Sequence, residues 1–263
     1  MTKIDVIMGM YNEEKTIERA ISSILKQSIE DWRLLICDDG SQDNSFEIAQ
    51  AYQKKYPNKI CVYKNEQNRG LTYTLNKLIG FCNAEYIARM DADDECLPNR
   101  FQEQMDFLDN NEHFAFVGSA INKFDEKGIF ATVQFPEKPL AKNFLWNNPY
   151  VHPTVMIRRK IINQIGGYRD IPATKRCEDY DLWMRLYEKG YKGYNIQTPL
   201  LNYYEGRNSY SKRKFEYRVN EAKTRFDGYV RNKLMPIGII YVIKPFVVGI
   251  IPGNILRKLR RKV

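Results

Sequence analysis

Residues 85–94 read EYIARMDADD, a short apolar run that ends directly in Asp91, Asp93 and Asp94. The run predicts a β-strand. Three carboxylates at one strand end repel one another unless a cation or hydrogen-bond donors balance them. The set is all oxygen, and the chain holds only two histidines, His113 and His152. Such a set suits hard Mg²⁺ or Mn²⁺ rather than zinc.

Working upstream, LTYTLNKLIGF (71–81) has helical spacing, KICVYKN (59–65) reads as a strand, and 43–56 as a helix. WRLLIC (32–37) reads as a buried strand closed by the turn DDGS, which carries Asp38 and Asp39. Before it, Ile17, Ala20, Ile21, Ile24 and Leu25 recur at helical spacing behind IDVIMGM (4–10), with Asn12 placed as the N-cap. Strand and helix alternate four times in ninety residues. That predicts a doubly wound α/β sheet, with ligands at the carboxyl ends of the strands.

Downstream the rhythm loosens. Pro98 opens a helix to Leu108, FAFVGSAI and FATVQF read as strands, and the rest of 122–150 as irregular. HPTVMIRR (152–159) and a GGY turn (166–168) lead to a helix from Glu178 to Lys189. Glu178, Asp179 and Asp181 open that helix, where acidic groups also favour the helix dipole. Taken singly, DDGS is an ordinary turn and CEDYDLW an ordinary helix start. In this order on an α/β chain, the three acidic groups together point to a site. His152 stands either as a strand-entry residue or as a contact near metal and acceptor.

The ordered motifs VIMGMYNEE, LLICDDGSQDNS, NRG, EYIARMDADD, LPNRFQEQ, HPTVMIRR, GGYR and CEDYDLWMRL resemble glycosyltransferase family 2, of the GT-A fold, over roughly residues 3–205. The resemblance implies a mixed sheet flanked by helices and a nucleotide-diphosphate-sugar donor, a UDP-sugar foremost. It also implies Mn²⁺ or Mg²⁺ and inversion at the anomeric carbon. Carried over residue by residue, Tyr11 and Asp39 would contact the base, Asn68 the nucleoside, and Asp91 the ribose. Asp91-Ala92-Asp93 matches the DxD motif; Asp93 would ligate the metal, with Asp91 and Asp94 beside it. Asp179 would be the general base, with Glu178 and His152 as helper candidates. Arg207, in the segment YYEGRNSYSKRK (203–214), would meet the donor diphosphate. Two positions depart from the common family pattern. Gly9 stands where many members have Pro, and Leu75 precedes Asn76 where many have Arg, which leaves Arg69, Arg89 and Arg207 as cations for the donor.

The net charge of +9 is unevenly placed: residues 1–205 carry −3 and residues 206–263 carry +12. A uniformly basic nucleic-acid-binding domain is excluded by that split, and a tail meeting an anionic surface is favoured. Residues 1–205 are therefore expected as the catalytic domain and 206–263 as a basic, apolar tail. In that tail 212–233 reads as a helix with Phe215, Val219, Ala222 and Phe226 on one side. MPIGIIYVIKPFVVGIIPGNIL (235–256) is apolar but divided by Lys244-Pro245, and RKLRRK follows. Short apolar halves between basic clusters predict a peripheral or monotopic anchor on an anionic membrane surface.

Five isolated cysteines without a CxxC pair suit a reducing compartment. The opening MTKIDVIMGM reads as a first strand rather than a signal peptide. The expected setting is thus the inner face of the cell membrane, and the acceptor a lipid-linked or surface glycan such as a lipopolysaccharide, O-antigen or capsule precursor. Two alternatives remain beside it: a synthase that charges polyprenyl phosphate with sugar, and a non-catalytic nucleotide-sugar-binding protein.

Overall fold

The structure, a computed structural model, describes residues 2–206 and 215–250. Its first half follows the strand–helix alternation closely. Strands β1 (Ile4–Met10), β2 (Trp32–Asp38), β3 (Ile60–Lys64) and β4 (Tyr86–Asp91) run parallel in the order β3-β2-β1-β4. Parallel neighbours need crossovers, supplied by α1 (Ile17–Leu25), α2 (Ser45–Lys55) and α3 (Leu71–Phe81). Alternate residues of β1 serve the two faces. Ile4, Val6 and Met8 pack with Ile17, Ile21 and Ile24 of α1, while Ile7 packs with Leu75, Leu78 and Ile79 of α3.

Register is what positions the site. Met10 pairs with Asp38 and Gly9 with Asp91, so the two acidic turns leave the sheet at one edge, on either side of β1.

The second half follows in chain order as β5 (Glu95–Cys96), α4 (Arg100–Asn110), β6 (Phe114–Asp125), β7 (Gly128–Val133), β8 (Met156–Arg158), α5 (Arg159–Gln164), α6 (Glu178–Glu188) and β9 (Lys192–Tyr204). The sheet continues from β4 as β8-β6-β9-β5, with β7 hairpinned onto β6. The β4–β8, β8–β6, β6–β7 and β9–β5 pairs are antiparallel, and β6–β9 is parallel. The result is the expected mixed α/β sheet flanked by helices.

Several local expectations need correction. Asn12 is not an N-cap; it lies in a loop at φ 56°, and α1 begins only after Thr16. The β6 strand runs to Asp125, so the stretch expected to be irregular after residue 122 begins as a hairpin. The 13-residue β9 gave no sequence signal, because its pairing with β6 is interrupted by register shifts around Pro199 that break period-two alternation.

The tail differs too. α7 (Phe215–Arg231) is packed on α6, with Ala222, Arg225, Gly228 and Tyr229 buried. Phe215 and Phe226, read on one side with Val219 and Ala222, are exposed, while Ala222 is buried. Packing therefore does not stop at residue 205. α8 (Gly238–Ile250) runs through Pro245 instead of dividing there, and packs on α7. Among the described residues no helix is long and apolar enough to cross a membrane. Arg207 and the basic cluster within 257–262 lie outside the described residues.

Candidate active site

The first wall of the site is a set of turns locked together by backbone hydrogen bonds. Asp39 N–H donates to Met10 O at 2.9 Å, Asn12 N–H to Ser41 Oγ at 2.9 Å, and Gln42 N–H to Asn12 Oδ1 at 2.9 Å. Exposed Tyr11 is thereby fixed beside the DDGS turn. Gly40 sits at φ 77°, and a Cβ there would lie 2.9 Å from Asn68 N. Only glycine permits both that dihedral and that approach, and this brings the NRG turn against DDGS.

The buried Asp39 carboxylate accepts from Asn65 Nδ2 at 2.8 Å, Arg69 N–H at 2.9 Å and Gly70 N–H at 2.7 Å. A carboxylate offers about four acceptor positions, so these three bonds leave room for one further donor. Asp39 thus first organises the loop around Asn68. Asp38 accepts from Ser41 N–H at 3.2 Å and pairs with Lys64 of β3 at 3.9 Å.

The second wall is the DADD turn. Asp91, Asp93 and Asp94 present ligand oxygens that all lie within 4.8 Å of one another. Asp94 is buried; its Oδ1 accepts from Tyr204 N–H at 2.8 Å, while Oδ2 is buried without a partner. Burial and the neighbouring Asp91 charge push Asp93 up to about 7 and Asp94 well above the ordinary carboxylate range. A crowded, oxygen-only set with an orphaned buried oxygen fits a hard divalent cation. Arg19 of α1 holds the turn from below, donating to Asp93 O at 2.8 Å and pairing with Glu95 at 3.0 Å. Arg89, buried in β4, pairs with Asp91.

The third wall is the start of α6. Asp179 Oδ2 accepts from Asn148 Nδ2 at 2.7 Å and Oδ1 from Tyr180 N–H at 2.7 Å. It lines a cavity of about 300 Å³ with Asn147, Asn148 and Tyr180. Burial raises its pKa, against the pull of the Tyr180 N–H and of Arg89. Glu178 is buried beside it and, through burial and the Asp179 charge, pushed up to about 7. The field of Arg89 reaches both, as it reaches Asp93, so the DADD turn and the α6 start share one electrostatic neighbourhood.

Asp181 belongs elsewhere. It is fully buried and binds Arg169, Arg185 and Arg231, tying α6 to α7. His152 lies in a 3₁₀ turn (His152–Thr154), with Nε2 on Tyr168 OH at 2.7 Å and the ring edge-on to Trp183. Burial and nearby Arg89 hold its pKa well below the usual range, so it is neutral. Its role here is to brace Tyr168.

Two residues of the site, Asn148 and Asn65, carried no sequence argument of their own. Asn148 orients Asp179, and Asn65 orients Asp39. Asn76 clips the GGY turn to α3, donating to Tyr168 O at 2.8 Å and accepting from Tyr168 N–H at 2.9 Å. Arg89 supplies the cation at the centre.

Comparison with known proteins agrees with this layout. The profile described as Glycosyl transferase family 2 matches residues 5–166. EpsE of Bacillus subtilis (strain 168), named as a glycosyltransferase, is 35% identical over 260 residues, covering 99% of this chain and 94% of EpsE. WfgD of Escherichia coli, named as a UDP-Glc:alpha-D-GlcNAc-diphosphoundecaprenol beta-1,3-glucosyltransferase, is 29% identical over 253 residues, covering 94% and 93%. Among solved structures, the mannosyltransferase PcManGT from Pyrobaculum calidifontis, in complex with GDP-Man and Mn²⁺, superposes with a TM-score of 0.63. It is 14% identical, covering 98% of this chain and 79% of that one. At that identity the likeness shows the fold, which is GT-A.

Proposed function

Because the chain belongs to glycosyl transferase family 2, we propose that it is an inverting, metal-dependent enzyme that moves a sugar from a nucleotide-diphosphate-sugar, a UDP-sugar foremost, to a hydroxyl of a lipid-linked or surface-glycan acceptor. The observation that supports this is the crowding of Asp91, Asp93 and Asp94 at the end of β4, with ligand oxygens all within 4.8 Å of one another. The names of EpsE and WfgD support the activity, and that of WfgD supports a UDP-sugar donor and a lipid-borne acceptor. The complex of PcManGT supports Mn²⁺ as one metal of this site type.

In this reading Tyr11, Asp39 and Asn68 hold the nucleoside, with the remaining acceptor position of Asp39 open to a base N–H. Asp93, with Asp91 and Asp94, would hold the divalent cation, which when bound neutralises charge on the diphosphate. Arg207 is kept as a proposed diphosphate contact. Asp179, held by Asn148, takes the proton from the acceptor hydroxyl. The freed oxygen then attacks the anomeric carbon from the side opposite the departing nucleoside diphosphate, which inverts it. Glu178, buried beside Asp179, is the helper candidate for this step. The enzyme would work at the inner membrane face, where the exposed apolar side of α8 and the basic end beyond it meet anionic lipid.

The test is Asp179→Asn. Transfer should fall about 10³-fold, the scale of a lost general base, while affinity for the nucleotide-sugar, followed by thermal shift with Mn²⁺ or Mg²⁺, is kept. Undiminished turnover would sink the assignment and point to an acceptor oxygen that arrives already ionised, as on a polyprenyl phosphate.

A further inference from the structure

The chain has three tryptophans, Trp32, Trp146 and Trp183. Trp32 and Trp183 are buried, 4% and 1% exposed, while Trp146 is 65% exposed. Trp146 belongs to the catalytic body: it follows the 3₁₀ turn Ala141–Leu145, and the next residues, Asn147 and Asn148, line the cavity of Asp179. A single exposed ring on a surface asks for no explanation. This one is continuous with a larger apolar surface.

Trp146 lies against α8. Its ring meets that of Tyr241 edge-on, 6.3 Å between centroids, and Lys244 Nζ stands 3.9 Å from its centroid. Lys244 also donates to Trp146 O and to Asn147 Oδ1, the latter at 3.0 Å. On one side of Lys244 around the helix come Ile240, Ile243 and Val247, at spacings of three and four residues and all exposed. On its other side Pro245 and Val248 line the cavity. Trp146, Tyr241 and Lys244 therefore form an aromatic and cationic border between the apolar stripe of α8 and the cavity.

Charge decides what covers the stripe. α8 carries no Asp or Glu, and residues 251–263, which follow it, hold five Lys or Arg and no acid. A second copy of the chain would bring the same positive charge to this face and be repelled, whereas an anionic bilayer is attracted. Trp, Tyr and Lys each join an apolar body to a polar end. At the edge of an apolar stripe that suits the boundary between acyl chains and headgroups.

We propose that Trp146 is a lipid contact, so that the bilayer meets the catalytic body at this border as well as the tail, and the Asp179 cavity lies at the headgroup layer. The inference rests on the reading of α8 as a membrane anchor and deepens it. The tail then fixes the orientation of the body, and an acceptor reaches the cavity along the membrane surface, from the side of Asn147 and Lys244.

The test reads tryptophan emission of the full chain with vesicles of equal parts phosphatidylglycerol and phosphatidylcholine, alongside flotation of the same sample. Because Trp32 and Trp183 are buried, a change on binding reports Trp146. Emission should move to shorter wavelength and be quenched when the acyl chains are brominated. Trp146→Phe, which keeps the two buried rings, should float but show neither change. Trp146→Ala should bind the vesicles about tenfold more weakly, the scale of one large side chain withdrawn from the lipid. A protein that floats with unshifted, unquenched emission, or a Trp146→Ala variant of parental affinity, overturns the proposal and leaves the anchor standing. A protein that does not float refutes the anchor as well. A shift that grows with protein concentration in the absence of vesicles puts a second copy on the face and overturns the proposal.

Discussion

Glu178 and Asp179 are adjacent carboxylates in the first turn of α6, and burial raises the pKa of both. Two interacting groups titrate as a pair, so the acid limb of the reaction belongs to both. A general base must be ionised to accept a proton. Transfer should therefore be complete above the limb and fall as pH drops through it. Because the shifts are upward, the limb in kcat/KM against pH should lie well above the ordinary carboxylate range, toward the value of about 7 at Glu178. A limb near the ordinary aspartate pKa of about 4 would contradict this. His152 contributes no limb there, since its imidazole is held neutral.

At the scale of elements, Asp181 couples α6 to α7. Its two oxygens serve Arg169 and Arg185 from the α6 side, Arg185 Nε at 2.9 Å, and Arg231 of α7 at 3.2 Å. Asp227 of α7 repeats the link, pairing with Arg169 at 2.8 Å. Removing one partner of a buried ionic cluster strands the others, at a cost of about 3–5 kcal/mol. Asp181→Asn should lower the melting temperature by roughly 10 °C for a chain of this size. It should do so without the selective loss of turnover expected for Asp179→Asn. A variant that melts like the parent would show that the docking of α7 rests on apolar contacts alone.

For the whole molecule, the boundary between body and tail moves toward the C-terminus. Tyr229 is fully buried, with its hydroxyl donating to Phe144 O at 3.0 Å, and Arg225 reaches Leu145 O at 3.1 Å. A chain cut after residue 205 should lose these contacts and fail to give a cooperative melt. A chain cut after residue 234 should still melt cooperatively, yet no longer float with vesicles of anionic lipid. Each Lys or Arg near such a surface contributes about 1 kcal/mol, and five lie in 257–262. Flotation of the full chain should accordingly weaken with added salt. Undiminished flotation of the shorter chain would refute the anchor.

The sequence by itself determined the first half of the fold. Strand and helix alternate there at intervals set by local periodicity, so β1 to β4, α3 and the DDGS and DADD turns are legible from neighbours in the chain. The crowding of Asp91, Asp93 and Asp94 was legible too, because three carboxylates at one strand end need balancing. Tertiary structure alone decided that Asp181 holds the fold while Asp179 faces a cavity, since the two differ only in what packs against them from α7 and from the loop at Asn148. It also decided that β9 inserts beside β6 and that α7 closes the cavity. Those contacts join residues far apart in the chain, through bulged strands and ion pairs that leave no period in the sequence.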